Sequence, residues 1–376
     1  MKILFLSHYG AMLGANRSLL SMVQGLKAKG VKVMVYCPKE GGFSNKLSEL
    51  NIPFEVIPYK NWADTFLLPG YWLLPFRYFQ NKMILSSLLK KVNTFGPDLI
   101  HTNSTVLGMG AYIADQLQIP HVWHIREMAK LHYNMRFFPS TDHFYKYLSK
   151  AARCIVISEA VKNEMIGKRK INSTLVFNGV LHAEHFKSGY PSPVQKEAIN
   201  FLIIGMLHPK KNQLLALQGF SKVAKDFPKA RLKIVGTGRR LYEQQLIAFC
   251  RTNQIESQVE FAGYVSNPQK IYEQADVVLM CSEHEAMGRV TVEAMAYGKP
   301  VIGLRSGATP ELIEDGKEGF LFDKNPENLG KHMRYFLENP AAIETMGRNG
   351  FKSAKEKFTI DTYVDKMYAI FASIKK

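Results

Sequence analysis

Two glutamates with a glycine between them are the first residues of this chain that could do chemistry. Glu285 and Glu293 lie in the stretch EHEAMGRVTVEAMAYGKPVIG, residues 283–303. If this stretch were helical throughout, the two residues would be about 12 Å apart along the axis. That separation exceeds the roughly 5 to 9.5 Å between the paired carboxylates of glycosidases. The two carboxylates are therefore predicted to make separate contacts with a ligand and not to act as an acid and base couple.

Gly288 lies where a helix is predicted to begin. The segment EHEAMG is too polar to continue the strand ADVVLMCS, and RVTVEAMAY has helical length before Gly298 can cap it. Free N–H groups at a helix N-terminus favour an anion, and glycine lets a phosphate approach the backbone closely. Glu293, inside that helix, could accept hydrogen bonds from the vicinal hydroxyls of a ribose.

Short strand-like runs alternate with helical stretches along most of the chain. This alternation predicts an α/β fold with two Rossmann-like, doubly wound parallel-sheet domains that face a central cleft. The first domain is predicted over residues 1–188 and the second over 199–358, joined by the Pro-, Gly- and Ser-containing segment 188–198. The last helix, residues 360–376, could pack back on the first domain.

The stretch around the two glutamates resembles the signature of the retaining nucleotide-sugar glycosyltransferases of family 4, in glycosyltransferase group 1, which have the GT-B fold. That signature is a Glu, seven residues, a second Glu, Ala-Met and a Gly-x-Pro-Val run, and Glu285-AMGRVTV-Glu293-AMAYGKPVIG is similar to it. The resemblance implies that Glu285 and the following amides, those of Met287, Gly288 and Arg289, hold the donor sugar and diphosphate. It also implies that Glu293 binds the ribose.

Further stretches resemble the same family. GMLHPKKNQ is similar to a Gly-Arg-Leu…Lys segment, which implies that Gly205 and Lys211 bind the donor diphosphate. Met206 occupies the place of the usual arginine, and Arg289 is a candidate for the missing charge. The turn GAMLGANRS, the GTG stretch and the strand HVWHIRE are similar to a phosphate turn, a donor turn and a strand end with an active-site histidine; the corresponding residues are Gly14, Gly236 and His124.

The resemblance implies transfer of a sugar from a nucleotide-diphospho-sugar to a hydroxyl with retention of anomeric configuration, with His124, Glu285 and Lys211 as catalytic candidates. No DxD sequence occurs, so the usual aspartate pair for a divalent metal is missing. We therefore expect neither a metal nor another cofactor. GxxxxGK[ST] and a complete GxGxxG are also absent from the sequence, which argues against kinase-type and nicotinamide-dependent enzymes.

Charge and aromatic content point to the acceptor side. The net charge is +17, and residues 1–190 carry 23 Lys and Arg against 11 Asp and Glu, so an anionic partner is expected there. The stretch 62–91 mixes aromatic and basic residues, which predicts either a face for an anionic membrane or lipid-linked acceptor, or an ordinary inserted helix. The acceptor-binding candidates are Trp62, Trp72, Arg77 and Arg126.

The remaining composition suggests a setting and two alternatives. The start MKILFLSHYG is typical of a first strand and not of a signal peptide, and four widely spaced cysteines are typical of buried thiols in a reducing compartment. We expect a cytoplasmic enzyme, peripheral at the inner face of a membrane, that uses a UDP- or GDP-sugar in cell-surface polysaccharide or glycolipid synthesis. The alternatives are a nucleotide-sugar epimerase of the same fold and a basic nucleic-acid-binding protein, which the dispersed Lys and Arg disfavour.

Overall fold

A computed structural model describes residues 1–190 and 198–375 of the chain. It divides into two compact units: the first comprises Met1–Gly179 with Ile360–Lys376, and the second comprises Val180–Thr359. Part of the predicted linker, residues 191–197, lies outside the described residues.

The strands and helices are numbered along the chain. The strands are β1 (Lys2–Leu6), β2 (Lys32–Cys37), β3 (Phe54–Val56), β4 (Ala63–Thr65), β5 (Leu99–Thr102), β6 (His121–Ile125), β7 (Met135–Phe137), β8 (Arg153–Val156), β9 (Ser173–Leu175), β10 (Asn200–Ile204), β11 (Arg231–Val235), β12 (Val259–Gly263), β13 (Val277–Met280), β14 (Val301–Leu304) and β15 (Gly319–Phe322). The α-helices are α1 (Gly14–Ala28), α2 (Gly42–Glu49), α3 (Pro69–Trp72), α4 (Leu74–Phe95), α5 (Met109–Leu117), α6 (Thr141–Lys150), α7 (Glu159–Met165), α8 (Gln213–Ala224), α9 (Arg240–Thr252), α10 (Gln269–Gln274), α11 (Arg289–Ala296), α12 (Thr309–Leu312), α13 (Pro326–Glu338), α14 (Ala341–Lys357) and α15 (Ile360–Lys375).

The first unit is built on a parallel sheet in the order β3-β2-β1-β5-β6-β8-β9. The strand order reverses between β1 and β5, because the chain fills one side of β1 before it crosses to the other. Open α/β sheets bind ligands outside the carboxyl ends of the strands at such a reversal. In this unit the residues after β1 and β5 are therefore the ones placed for a ligand.

Both faces of the first sheet are covered by helices. Ile3 and Phe5 of β1 belong to a buried cluster on one face, together with Phe371 of α15. Leu4 and Leu6 belong to a cluster on the other face, together with residues of α4 and α5. This alternation follows from the two-residue period of a strand, and burial on both faces is typical of parallel sheets.

The long insertion between β3 and β5 contains β4, α3 and α4. β4 pairs antiparallel with β7, away from the main sheet. This pairing joins the insertion to the segment after β6. Among the described residues, we find no helix with both the length and the apolar character that crossing a membrane requires.

The second unit contains a parallel sheet in the order β12-β11-β10-β13-β14-β15. Its reversal lies between β10 and β13, and α8, α9 and α13 contribute to one buried cluster against it. The two parallel α/β sheets confirm the predicted class of two Rossmann-like domains.

The boundary between the units lies earlier than the predicted residue 188. The N–H of Val180 donates to the carbonyl of Phe358 at 2.9 Å, and Leu181 forms a parallel bridge with Thr359. These backbone contacts are made within the second unit, which explains why the first unit ends at Gly179.

Candidate active site

Two glycines close the carboxyl ends of β10 and β11 in the second unit. Gly205 has a φ of +150° and Gly236 a φ of +136°, a region that favours glycine. A Cβ on Gly236 would lie 1.9 Å from the carbonyl oxygen of Gly205. No atom of the described residues lies within 4 Å of the corresponding position on Gly205. The two turns pack backbone against backbone, and the space above Gly205 is open to a ligand.

Lys211 and Glu285, both predicted site residues, lie together. Lys211 ends the short 3-10 helix Pro209–Lys211 after β10, and its Nζ forms an ion pair with Oε1 of Glu285. Asn212 stabilises this turn, because its Nδ2 donates to Oε1 of Glu283 at 3.0 Å. The side chains of Lys211 and Glu285 keep 30% and 17% of their surface exposed, so both can still reach a ligand.

The main chain of Glu285 is fixed by the loop after β14. Its carbonyl oxygen accepts the N–H of Ala308 at 2.8 Å. A Cβ on Gly307 would lie 2.5 Å from the same oxygen, which shows how closely the two loops approach. On the other side, Lys324 forms an ion pair with Glu283 at 2.6 Å and lowers the pKa of that carboxyl.

Gly288 begins α11, as predicted from the sequence. It is the N-cap residue with φ 73° and ψ 64°, and as a glycine it supplies no side-chain cap to this helix. Met287 before it is buried. Arg289 after it has Nη2 3.4 Å from Oε1 of Glu293. The helix start therefore combines a glycine turn with a helix dipole that favours an anion.

Glu293 lies one turn further along α11 and has a partner that the sequence analysis did not identify. Its Oε2 accepts a hydrogen bond from the hydroxyl of Tyr272 at 2.8 Å. Tyr272, in α10, is fully buried, and its ring stacks on Tyr297 with centroids 5.3 Å apart and planes 9° apart. Burial, followed by the charge of Glu293, raises the pKa of Tyr272 well above its ordinary value, so the hydroxyl stays protonated.

Met206, at the place of the family's usual arginine, is 60% exposed. The next residue, Leu207, forms a parallel bridge with Gly238, so the segment after β10 runs beside the one that leads to Arg239. Burial lowers the pKa of His208, and nearby cations that include Arg239 lower it further. Arg239 therefore lies near the segment that follows β10 and contains Met206.

His124 in the first unit is the last residue but one of β6, so it lies at the predicted strand end, but its ring is fully buried. The predicted active-site role of His124 is therefore wrong. Its Nδ1 lies 3.2 Å from Nε2 of His101 and 3.3 Å from Nη2 of Arg126. Burial, followed by the charge of Arg126, holds the pKa of His124 well below its ordinary value. The ring is neutral and enclosed in the core of this unit, where a substrate does not reach it.

Arg126, the first residue after β6, is also buried, which contradicts its predicted acceptor contact. Its Nε donates to Oδ1 of Asn103 at 2.6 Å, its Nη1 donates to Oδ1 of Asn178, and its Nη2 donates to the hydroxyl of Tyr363 at 3.0 Å. The guanidinium therefore joins β5, β6 and α15 inside the first unit.

Glu127 is the acidic residue at the carboxyl end of β6, and the sequence analysis missed it. Its carboxylate accepts hydrogen bonds from the hydroxyls of Ser104 at 2.5 Å and Thr105 at 3.0 Å, and from the N–H of Thr105 at 3.2 Å. Burial raises the pKa of Glu127, while these hydrogen bonds oppose the increase. Its position two residues after a buried strand is the available signal in the sequence.

Gly14 is the first residue of α1, after the turn that begins at Gly10. Asn16 holds this turn: its Nδ2 donates to the carbonyls of Tyr9 and Ala11 at 2.8 and 2.9 Å. A Cβ on Gly10 would lie 2.7 Å from the carbonyl oxygen of Lys39, so the turn packs tightly against the segment after β2.

The acceptor candidates of the insertion divide into buried and exposed residues. Trp62 is buried and donates its indole N–H to the carbonyl of Thr105 at 2.8 Å, so the prediction that it contacts an acceptor is wrong. Arg77 forms an ion pair with Asp64 at 2.8 Å. Trp72 is 68% exposed. It belongs to a group of large apolar side chains on α3, α4 and the residues before them, all exposed, that we call the apolar surface: Leu67, Leu68, Trp72, Leu73, Phe76, Phe79 and Met83.

Within residues 1–190 and 198–375, no group of three or more His, Cys, Asp or Glu is placed to hold a metal ion. The expectation that the enzyme needs no metal stays a prediction.

Two family models match successive parts of the chain. The model described as Glycosyltransferase Family 4 matches residues 13–183, and the model described as Glycosyl transferases group 1 matches residues 191–353. The second match includes the loops with Lys211, Glu285 and Glu293. The chain belongs to the group 1 glycosyltransferases.

Relatives of known name or structure agree with this membership. Alpha-monoglucosyldiacylglycerol synthase of Acholeplasma laidlawii is 25% identical over 371 residues, which cover 91% of this chain and 89% of that protein. The Anabaena protein Alr3699/HepE, solved in complex with UDP, superposes with a TM-score of 0.81 at 22% identity over 99% of this chain and 100% of that chain. A glycosyltransferase of Rickettsia africae has the same TM-score at 17% identity over 100% and 98%.

These likenesses confirm the GT-B fold and the glycosyltransferase function that the sequence predicts. They give no support to the epimerase alternative.

Proposed function

We propose that this glycosyltransferase moves a sugar from a UDP-sugar to a hydroxyl of a lipid or lipid-linked acceptor, with retention of configuration and without a metal. One observation carries the donor half of the proposal. Lys211, Glu285 and the start of α11 are drawn together after β10 and β13, the two strands at the reversal of the second sheet. An α/β sheet binds nucleotides at this position.

The charges in this region suit a departing diphosphate. Cleavage of a sugar–diphosphate bond develops negative charge on the phosphate, and fixed cations and helix N-termini stabilise such charge. Lys211 and the Gly288 helix start would face the diphosphate, Glu285 would bind the sugar, and Glu293 would bind the ribose. The open space above Gly205 lets the nucleotide approach the backbone closely, and Gly236 allows the two turns to pack together.

Met206 lacks the positive charge that the family supplies at its position. We propose that an arginine elsewhere replaces it, with Arg239 and Arg289 as the two candidates. Arg289 already lies against Glu293. Arg239 follows Gly238, which forms a parallel bridge with Leu207, the residue after Met206. The variants Arg239→Ala and Arg289→Ala distinguish the two candidates. Replacing the arginine that compensates should lower UDP affinity about tenfold or more, and replacing the other should leave UDP affinity nearly unchanged.

Different observations support the proposed donor base and the proposed acceptor. A protein of the same fold binds UDP, which favours UDP over GDP. A relative that covers most of this chain makes a glucosyl diacylglycerol, and the apolar surface with its neighbouring cations is suited to a lipid and an anionic membrane. We propose that the enzyme acts at the inner, cytoplasmic face of a membrane.

The absence of a DxD sequence supports a metal-independent reaction, and family membership supports retention. Neither needs a protein nucleophile at His124, whose buried ring lies away from solvent. In this proposal the leaving phosphate assists the incoming hydroxyl on the same face of the sugar.

The test is a panel of UDP- and GDP-sugars with diacylglycerol or a lipid-linked sugar as acceptor, scored by release of the nucleotide and by NMR of the product anomer. Transfer from a UDP-sugar that survives EDTA, with retained configuration, is the expected result. Glu293→Ala should weaken UDP binding, and Lys211→Ala should lower kcat by about 100-fold or more. Two results together would contradict the donor assignment. The wild-type enzyme would neither transfer nor hydrolyse any donor of the panel, and Glu293→Ala would bind the nucleotide as tightly as wild type does.

A further inference from the structure

The carboxylate of Glu293 is held at both oxygens by side chains of its own unit. Tyr272 donates to Oε2 at 2.8 Å, a normal distance for a hydroxyl donor to a carboxylate. Nη2 of Arg289 lies 3.4 Å from Oε1, which is long for a charged pair. The tyrosine therefore sets the orientation of the carboxylate more firmly than the arginine does.

Packing fixes the position of the Tyr272 hydroxyl before any ligand arrives. The ring is fully buried and lies flat against Tyr297, whose own ring contacts His185 with centroids 4.8 Å apart. A buried aromatic ring in such a stack has little rotamer freedom, and Tyr has only two side-chain torsions. Groups held in this way by a supporting layer of residues give binding sites their precision.

The geometry leaves acceptor capacity on Glu293. A carboxylate has about four lone-pair directions, of which Tyr272 occupies one and Arg289 approaches another. The side chain is 18% exposed, so the remaining directions can meet solvent or a ligand. Two vicinal hydroxyls of a ribose are two donors, which matches the capacity that is left.

We infer that Tyr272 is a positioning residue for ribose recognition: it orients the Glu293 carboxylate so that the two 2′ and 3′ hydroxyls of the donor nucleotide find acceptors. This inference rests on the proposed ribose contact of Glu293. Tyr272 itself need not touch the nucleotide, since it lies on α10 and acts through Glu293.

Loss of the hydroxyl should have a selective effect. Without it, the carboxylate is free to turn fully toward Arg289, and the acceptors for the ribose become less well oriented. Contacts to the base and the diphosphate would remain. The variant should therefore lose preference for ribose hydroxyls and keep its affinity for a nucleotide that lacks them.

The experiment measures binding of UDP and of 2′,3′-dideoxy-UDP to the full chain by calorimetry. We expect wild type to bind UDP roughly tenfold more tightly than the dideoxy nucleotide, and Tyr272→Phe to lower UDP affinity about fivefold to tenfold while dideoxy-UDP binding changes less than about twofold. In steady-state assays the same variant should raise the donor KM with kcat nearly unchanged. In a Glu293→Ala background, Tyr272→Phe should have no further effect on either nucleotide.

Tyr335→Phe is the matched control, because Tyr335 lies on α13 of the same unit and packs on Phe320. It should leave both affinities unchanged. An equal loss for UDP and dideoxy-UDP in Tyr272→Phe, or no loss for either, would overturn the inference. Should Tyr272→Phe unfold, Tyr297→Leu, which removes the stack and keeps the hydroxyl, should reduce the preference for UDP less strongly, and an unchanged preference would overturn the inference.

Failure of the proposed function gives a different result. If wild type does not distinguish the two nucleotides, or if Glu293→Ala leaves the preference intact, the ribose role of Glu293 is wrong whatever Tyr272 does. If Glu293→Ala abolishes the preference and Tyr272→Phe does not, the donor assignment holds and only the positioning role is wrong.

Discussion

Gly236 and Gly263 have positive φ at neighbouring strand ends of the second sheet but differ in their surroundings. A Cβ on Gly236 would lie 1.9 Å from a backbone oxygen, whereas nothing in the described residues lies within 4 Å of one on Gly263. Gly263→Ala should cost about 1 to 2 kcal/mol, the strain of a left-handed backbone alone. Gly236→Ala should cost clearly more and also weaken UDP binding, because the turn must move.

Urea unfolding of the two variants, with UDP titrations beside it, checks this prediction. Equal losses of stability would mean that the approach of the two turns is looser than the structure indicates.

For individual residues, the sequence predicts contacts within one segment of the chain. It does not predict contacts between residues that only the fold brings together. The motif from Glu285 to Glu293 is local, so the helix start at Gly288 was predictable. Tyr272 escapes the motif because it reaches Glu293 from another helix. His124 is assigned an active-site role by resemblance, and the sequence does not show that His101 and Arg126 contact its ring inside the core.

The contact between α1 and α15 depends on the small size of Gly25. A Cβ there would lie 2.5 Å from Cγ2 of Val364, a branched side chain that has little room to turn. Gly25→Ala should therefore destabilise the protein by about 1 to 2 kcal/mol, since overpacking outweighs the gain in helix propensity. In a Val364→Ala background the same change should be neutral or stabilising by up to about 1 kcal/mol.

The four free energies of unfolding form a double-mutant cycle that measures this coupling. A Gly25→Ala effect that is the same in both backgrounds would show that the two helices do not meet at these residues.

The strands of the first sheet contain buried histidines that resist protonation. Burial lowers the pKa of His121 on β6 from its ordinary value of 6.5 to about 3. The unfolded chain then binds more protons than the folded one below pH 6.5, so stability is complete above that pH and declines as the pH falls toward 3. The contribution of His121 lost between pH 7 and pH 5 should be about 2 kcal/mol.

Urea midpoints at pH 7, 6 and 5 test this, with His121→Asn as the variant that should show the shallower decline. Identical slopes for wild type and His121→Asn would rule out His121 as a source of the acid sensitivity.

At the scale of elements, alternation predicted both parallel sheets, because each strand and helix has its own hydrophobic period. The pairing of β4 with β7 was not predictable, since these short strands carry no such period. That pairing, with the fold around it, buries Trp62 and leaves Trp72 exposed. The same aromatic stretch thus contributes both to the core and to the surface.

For the whole molecule, the excess of positive charge and the apolar surface should act together on vesicles. Trp72→Ser and Phe76→Ser should each weaken binding to vesicles with anionic lipid by about tenfold, since each removes an exposed aromatic side chain that can enter the lipid. Leu241→Ser, which replaces an 82% exposed leucine on α9, is the matched control and should bind as wild type does.

Sedimentation with liposomes at low and high salt measures the contributions of the positive charge and of the apolar surface. Binding to anionic vesicles should decrease as the salt concentration rises. If Leu241→Ser reduces vesicle binding as much as Trp72→Ser and Phe76→Ser do, the binding is non-specific hydrophobic adsorption. If the wild-type protein does not bind anionic vesicles at low salt, the proposed membrane contact is wrong.

The return of the chain to its first unit has a consequence for how the protein is made. Phe371 of α15 packs against His101 and Phe5, in the middle of the first sheet. While a ribosome is still synthesising residues 180–359, that face of the sheet lacks α15, one of the helices that cover it. The second unit, continuous in sequence, can fold completely as it emerges, whereas the first must wait for α15. We therefore expect nascent chains that stop at residue 359 to present a protease-sensitive first unit beside a resistant second one.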